Sequence, residues 1–590
     1  MTSSRRLKAS VGLAAMAMLA AACGGSSTKS NSGNGGKGTP SAFNAAISGV
    51  VNASDKKGGT LKLGAEEDFD SLDPGRTYYG YSWIFRRLWD RQMFQFKPAP
   101  GSASQELVPD LAQDAGQVSD GGKTYTYKIK TGAKFANGEP VTSKNIKYAI
   151  ERTFAQDVIS GGPTYLVDLL GGAKSYPGPY KDKAADHLGL KTIDTPDDQT
   201  IVFHLNKPFS DMNYLLALPT SSPVPIDVDQ APATGGANYF KHPISSGPYQ
   251  VDSYTPGKSL TLSRNKNWDP KTDSVHKALP DNITVTIGLD AATADNQLLQ
   301  GQIDLVLDAY LQPAARGKVL SDKTGAGKNA DNPLSSYTTE WLNINRVVIP
   351  DVHCRRAIAY ALDKKSLQSV YGGPEAGGDI ANTITAPASP SYEKDYNPYP
   401  SGPDNTGDIA KAKDELRQCG KPNGFSTKIA ARAKGLGPQT ALSVQNSLKR
   451  VGIKTTIVPT TRSADPTKVP AQVHSQGLGI MNFGWGADFP TDYGFYEFVS
   501  DPRSILPAGN YNSGEFNDPK ASELIDKALT KTGSEQAAIW KDFSHLLMDS
   551  ATSVPYLFPK NVQAHSSRLT NVYTLNAIFN DYDMMNVGVL

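Results

Sequence analysis

Covalent chemistry is the first possibility the residues raise. Lys-Thr-Gly triplets begin at Lys130, Lys323 and Lys531, and Ser-x-x-Lys occurs at Ser54 and Ser263. With a Ser-Asp-Asn these would build a serine acyl-transferase of the β-lactamase type, in which an activated hydroxyl attacks a carbonyl. Ser-Asp-Asn is absent, and so is a Gly-x-Ser-x-Gly elbow. Ser54 lies in a Gly/Ser/Asn/Lys-rich stretch and Ser263 in a strand pattern, so neither serine opens a helix. A phosphate loop fails as well: Gly122-Lys123-Thr124 has Gln117 where the first glycine belongs, and a strand pattern follows. The eight histidines (187, 204, 242, 276, 353, 474, 545 and 565) show no paired spacing for zinc. No catalytic motif is complete, a secreted serine acyl-transferase stays an alternative, and no cofactor and no metal are expected.

Composition narrows what could be bound. The chain has 590 residues, too many for one hydrophobic core, so two or three domains are expected. Lys+Arg 60 against Asp+Glu 58 leaves no basic field for nucleic acid. The 54 Gly and 40 Pro exclude a coiled coil, and Tyr 26, Phe 19 and Trp 6 exclude wholesale disorder.

The elements that must position a site follow from periodicity. Thr60–Gly64, Thr124–Lys130, Thr200–Leu205, Tyr249–Tyr254, Leu260–Arg264 and Asn282–Leu289 read as strands, with a turn at Thr255–Lys258. Ile146, Ala149, Ile150 and Phe154 keep helical spacing behind the cap candidates Thr142 and Ser143. After about residue 308 helices and strands alternate. Asp351 caps a helix bearing Ala357, Ile358, Ala361 and Leu362; Pro438–Arg450 is a helix before the strand Ile453–Val458; Asp518-Pro519 opens another. Glu535–Met548 precedes the apolar run Val554–Phe558. The pattern is a multi-domain α/β protein.

The N-terminus carries an address. Arg5, Arg6 and Lys8 precede the apolar run Val11–Ala22, which suits a signal peptide and is too short for a stable bilayer span. Ala20-Ala21-Ala22-Cys23 resembles a bacterial lipobox, which implies lipidation of Cys23, and Arg5-Arg6 resembles part of a twin-arginine signal. Residues 23–57 are expected to form a flexible tether. Loss of residues 1–22 takes the formal charge from +2 to −1, so the exported body is near neutral. In an oxidising compartment Cys354 and Cys419 are expected to pair.

Several segments together resemble the family-5 extracytoplasmic solute-binding proteins of ABC importers, the oligopeptide- and dipeptide-binding group. They are Tyr127–Thr142 with its Phe135-x-x-Gly138-x-Pro140-Val141 loop, the helix end Glu151-Arg152, Ser71-Leu72-Asp73-Pro74, Leu107–Ala112, Ser246–Tyr249 and Trp485-Gly486-Ala487-Asp488. Asp68–Tyr79 is similar to an actinobacterial subgroup that includes binders encoded with antibiotic pathways.

The resemblance implies a two-lobe, type II periplasmic-binding-protein fold (cluster C). Lobe I would span 58–308 and 553–590, with an extra subdomain at about 79–189, and lobe II 309–552. It implies a non-catalytic, monomeric receptor, held to the outer face of the membrane only by lipid, that delivers peptides to permease subunits. An oligosaccharide or nickel ligand in the same role, a secreted serine acyl-transferase, or an adhesin are the alternatives. It places the peptide's α-ammonium group on Asp488, beside Trp485, Gly484 and Gly486. Tyr78, Tyr79 and Gly80 would line the pocket, with Tyr78 where the family has an acidic residue, and Asn296 would bind ligand backbone.

Overall fold

The computed structural model describes residues 38–170, 176–307, 310–461 and 465–590. Cys23 and the signal segment lie outside these residues.

Three sheets organise the chain. The first has five strands in the order Leu305–Val306, Thr60–Ala65, Asn282–Ile287, Ser259–Arg264, Tyr249–Thr255. Thr60–Ala65 runs parallel to Asn282–Ile287, and period two sends Leu61, Leu63, Ile283 and Val285 into the core. The last two strands form the expected hairpin, turning at Gly257 with φ 70°. The second sheet has six strands in the order Gly378–Ile380, Ser553–Pro559, Thr338–Ile344, Ile480–Gly486, Ser426–Arg432, Lys454–Thr460. Its last two strands are parallel and are joined through the helix Gly437–Lys449. These two sheets are the cores of the two lobes.

A third, antiparallel sheet runs Gln117–Ser119, Thr124–Lys128, Thr200–His204, Ile193–Asp197. The helix Ser143–Arg152 packs on it through Ile146 and Ile150, and Asn145 Oδ1 accepts the Thr142 amide at 2.9 Å. Two of its strands lie beyond residue 189, so this extra unit runs past His204.

The motifs behind the family resemblance are largely scaffold. Arg152 is fully buried and grips Asp73 with both terminal nitrogens (2.9 and 2.6 Å), while its Nε meets Asp229 at 2.8 Å. The Glu151-Arg152 and Ser71–Pro74 segments are thus two halves of one ion network. Asp110, from Leu107–Ala112, holds Arg91 Nε at 2.7 Å, and Asp273 accepts His276 Nδ1 at 2.9 Å. Asp110, Asp273 and His276 could face a common ion, but Arg91 already supplies the cation there.

Two expected boundaries move. Residues 38–57 belong to the folded body: Ala45–Ser48 is a helical turn, and Ala46 and Val51 are buried. The Asn44 amide donates to Ala330 O at 3.0 Å and the Val51 amide to Val572 O at 2.8 Å. The short apolar stretch Phe43–Val51 is anchored because it finds a partner strand and a core to enter. Ser553–Pro559 is a central strand of the second sheet, not the start of the return to the first. All seven of its residues are buried, as expected of a strand covered on both faces. The chain crosses back near Gln563–Ala564, which pairs with Ala330–Asp331.

Candidate functional site: an interlobe cleft and a buried carboxyl

Between the lobes lies a cleft of about 650 Å³. Tyr79, Gly484, Trp485 and Gly486, all expected there, line it together with Arg316, Glu340, Tyr371 and Phe579. The strand Ile480–Gly486 forms one wall, held antiparallel to Thr338–Ile344 with Gly484 opposite Glu340 and Gly486 opposite Thr338. Both glycines are needed for space. A Cβ at 484 would lie 2.4 Å from Glu340 Oε1, and one at 486 would lie 2.1 Å from the Phe579 ring. Gly80 has the same relation to Phe579 from the first lobe, at 2.2 Å. Phe579 is thus wedged between Gly80 and Gly486.

Glu340 was not legible from sequence, because it stands in an ordinary strand pattern. Its Oε2 accepts hydrogen bonds from Tyr371 (3.0 Å) and Tyr556 (3.3 Å), and burial pushes its carboxyl up to about 7. The Arg316 guanidinium makes no hydrogen bond or ion pair among the described residues, while its backbone amide donates to Gln312 O at 2.8 Å.

Asp488 sits just past the end of the same strand, 8% exposed. Its Oδ2 accepts hydrogen bonds from the hydroxyls of Tyr78 (2.8 Å) and Tyr165 (2.7 Å). It has no ion pair among the described residues. Burial pushes its carboxyl up to about 7, with the two tyrosine donors pulling the other way. Aromatic rings surround the group. Tyr78 lies 6.4 Å from Trp485 and 6.3 Å from Phe498, centroid to centroid, and Trp485 lies 5.1 Å from Tyr511. Among the described residues, Trp485 Nε1 and Glu497 Oε2 are buried without a hydrogen-bond partner. Burial, with the nearby Asp501 charge, pushes Glu497 up to about 8. Asp488 and Glu497 do not line the 650 Å³ cleft themselves; among the described residues the cluster beside its Trp485 wall holds a carboxyl without an ion pair, an indole N–H without an acceptor and a carboxylate oxygen without a donor.

The loop carrying Tyr78 is shaped by Asp70, which accepts the backbone amides of Tyr78 and Tyr79 and the hydroxyls of Thr77 (2.9 Å) and Ser82 (2.7 Å). Tyr165 comes from the short helix Tyr165–Leu169, and nothing in a lone tyrosine at that place announced it. Gly80 borders a second, smaller chamber beyond Phe579. Asn296 is exposed on the helix Ala291–Leu299 and lines neither cavity; its neighbour Asp295 faces the chamber instead. Cys354 and Cys419 form a disulfide with a Cα–Cα distance of 5.4 Å, away from both cavities.

Known proteins share this architecture. The chain is 26% identical to the probable D,D-dipeptide-binding periplasmic protein DdpA of Escherichia coli K12, over 88% of this chain and 91% of that protein. It is 22% identical to the glutathione-binding protein GsiB of Shigella dysenteriae, over 86% and 90%. Among solved structures, clavulanic acid biosynthesis oligopeptide binding protein 2 superposes with a TM-score of 0.89 at 39% identity, over 93% of this chain and 98% of that one. DppA from Helicobacter pylori superposes with a TM-score of 0.70 at 21% identity, covering 91% and 99%, which speaks for the fold alone. Residues 106–507 match the description "Bacterial extracellular solute-binding proteins, family 5 Middle". Two lobes, a cleft between them and a match over most of the chain agree: the chain belongs to the family-5 bacterial extracellular solute-binding proteins of ABC importers.

Proposed function

We propose that the protein captures short peptides in the interlobe cleft and hands them to an ABC permease, with Asp488 receiving the α-ammonium group. The observation that carries this reading is the state of Asp488. It is a buried carboxyl on the second lobe that, among the described residues, has no ion pair and accepts side-chain hydrogen bonds from tyrosines of the first lobe. When the lobes part, both tyrosines leave with the first lobe and the carboxylate faces solvent. An ammonium group arriving then meets a charge that closure would otherwise bury uncompensated. On closing, Tyr78, Trp485 and Tyr511 surround it with ring faces that favour a cation. Trp485 Nε1 and Glu497 Oε2 supply a donor and an acceptor for the peptide groups that follow. Hinge closure of this kind is the usual motion of two-lobe receptors.

Arg316, which lines the cleft and whose guanidinium has no ion pair among the described residues, suits the peptide's carboxylate end. The names of the relatives, which bind D,D-dipeptides, glutathione and oligopeptides, fit the same ligand class. The 39% identity to a protein named for clavulanic acid biosynthesis favours a role tied to antibiotic production.

Thermal unfolding of the full chain tests the reading, because a ligand of the native state raises Tm by mass action. Pooled di- to octapeptides should raise Tm, and oligosaccharides and nickel should not. A response to sugars or nickel alone would overturn the peptide assignment.

Anchoring through Cys23 is part of the proposal, motivated by the lipobox-like Ala20–Cys23 segment. Cys23→Ala should release the protein from the cell into the medium; retention of that variant on the cell would refute the anchor.

A further inference from the structure

The chamber beyond Phe579 carries a chemistry that the main cleft does not. It encloses about 180 Å³, room for about six waters at the liquid's share of ~30 Å³ each. Two carboxylates, Asp295 and Asp581, face into it. Asp295 is only 5% exposed, and its Oδ2 accepts the Gln312 amide at 2.8 Å. Its Oδ1 has no partner among the described residues. Asp581 accepts the Tyr310 hydroxyl at 2.9 Å. Among the described residues neither acid forms an ion pair and no Lys, Arg or His lines the chamber. Burial pushes both carboxyls up, Asp581 to about 6.

The rest of the lining completes the pattern. Leu298, Leu305 and Leu307 form an aliphatic sleeve, and Tyr310 and Phe579 are walls shared with the main cleft. A chamber with an apolar sleeve, two acids and no base has room for a methylene stem ending in a positive charge. An apolar side chain would leave both carboxylates unmatched, and an acidic one would add a third like charge.

We propose that this chamber is a specificity subsite for a cationic side chain, Lys or Arg, of the bound peptide. The stem lies along the leucines and the ammonium or guanidinium group lies between Asp295 and Asp581. The inference rests on the peptide reading of the cleft. It adds a second charge requirement, distinct from the α-ammonium site at Asp488.

The test compares Ala-Lys-Ala with Ala-norleucine-Ala by calorimetry on the full chain, for wild type and for Asp295→Asn/Asp581→Asn. Both substitutions keep a side-chain acceptor for the Gln312 amide and the Tyr310 hydroxyl. Wild type should prefer the lysine peptide at least tenfold. The double variant should bind both peptides alike, at the wild-type affinity for the norleucine peptide. Equal affinities in wild type, or a preference that survives in the double variant, would overturn the proposal. Failure of every tripeptide to bind would instead count against the peptide reading. The chamber is then probed directly with n-pentylammonium and 1-pentanol by thermal shift. Stabilisation of wild type by the cation, absent in the double variant, would support the subsite, and equal effects of the two probes would overturn it.

Discussion

The Tyr78 hydroxyl lies 2.8 Å from Asp488 Oδ2 and joins the first lobe to the second across 410 residues of chain. Tyr165 makes a second such bond, at 2.7 Å. In the closed protein these hydroxyls occupy the acceptor that an ammonium ligand would take. Opening the lobes breaks two neutral-to-carboxylate bonds, each worth roughly 1.5–3 kcal/mol when the acid is ionised. On the proposed reading a ligand ammonium would add an ion pair to Asp488, so that filling the site and holding the lobes closed would be one event.

Asp488→Asn is expected to weaken binding of free-amine peptides at least a hundredfold while leaving the fold intact. The amide still accepts from Tyr78 and Tyr165, but it offers an ammonium group no charge; removing one partner of a buried pair costs roughly 3–5 kcal/mol. Calorimetric titration reads the affinity and circular dichroism the fold. Unchanged affinity would remove Asp488 as the anchor.

Binding should be linked to protons. Burial raises the Asp488 carboxyl to about 7. Being raised above its unfolded value, it contributes stability that is fully present below the unfolded pKa of about 4 and is lost as pH rises through about 7. An ammonium ligand requires the ionised form. Peptide affinity should therefore fall about tenfold per pH unit below 7 and level off above it, with about one proton released per peptide at pH 6. Titrations in buffers of different ionisation enthalpy measure that release. The release should vanish in Asp488→Asn; if it persists there, Glu340, also raised to about 7, is its source.

Arg152→Met should be among the most damaging changes outside the cleft. Arg152 is the shared partner of Asp73 and Asp229, and all three side chains are fully buried. Leaving two carboxylates without their cation should cost roughly 3–5 kcal/mol or more. A large drop in the urea midpoint is expected; a shift under ~1 kcal/mol would show that the network is not needed.

Reducing the Cys354–Cys419 bond, which closes a 65-residue separation, should cost about 4 kcal/mol of stability by loop entropy. Peptide affinity should not change, because neither cysteine lines the cleft or the chamber. Loss of binding on mild reduction, with the fold retained, would contradict that separation of roles.

Much of the fold was legible because local pattern carried it. Leu61 and Leu63 alternate, Ile146 and Ile150 keep helical spacing, and Asp351 and Asp518 cap helices where expected, accepting the amides of His353 and Lys520. Sheet membership was not local. Val554–Phe558 reads as a buried strand in either lobe, and only its partners Thr338–Ile344 and Gly378–Ile380 decide which. Phe43–Val51 looked like spacer because its burial depends on Ala330 and Val572, hundreds of residues away. At the proposed site, the contiguous motif Trp485–Asp488 singles out both residues in the sequence. Tyr165, Glu340, Asp295 and Asp581 carried no such signal, since each is an ordinary residue in its own segment; Tyr165 is singled out only by its bond to Asp488, Glu340 by the cleft it lines, and Asp295 and Asp581 by the chamber they share. One helical position separates Asn296, which faces solvent, from Asp295, which faces the chamber.

The most direct test of the account is a calorimetric comparison of one tripeptide with its N-acetylated copy on the unmodified protein at pH 7.5. Acetylation removes the cation and changes little else. The account predicts binding of the free amine and a loss of at least a hundredfold on acetylation. Equal affinity for the two would mean that the peptide's terminus does not meet Asp488.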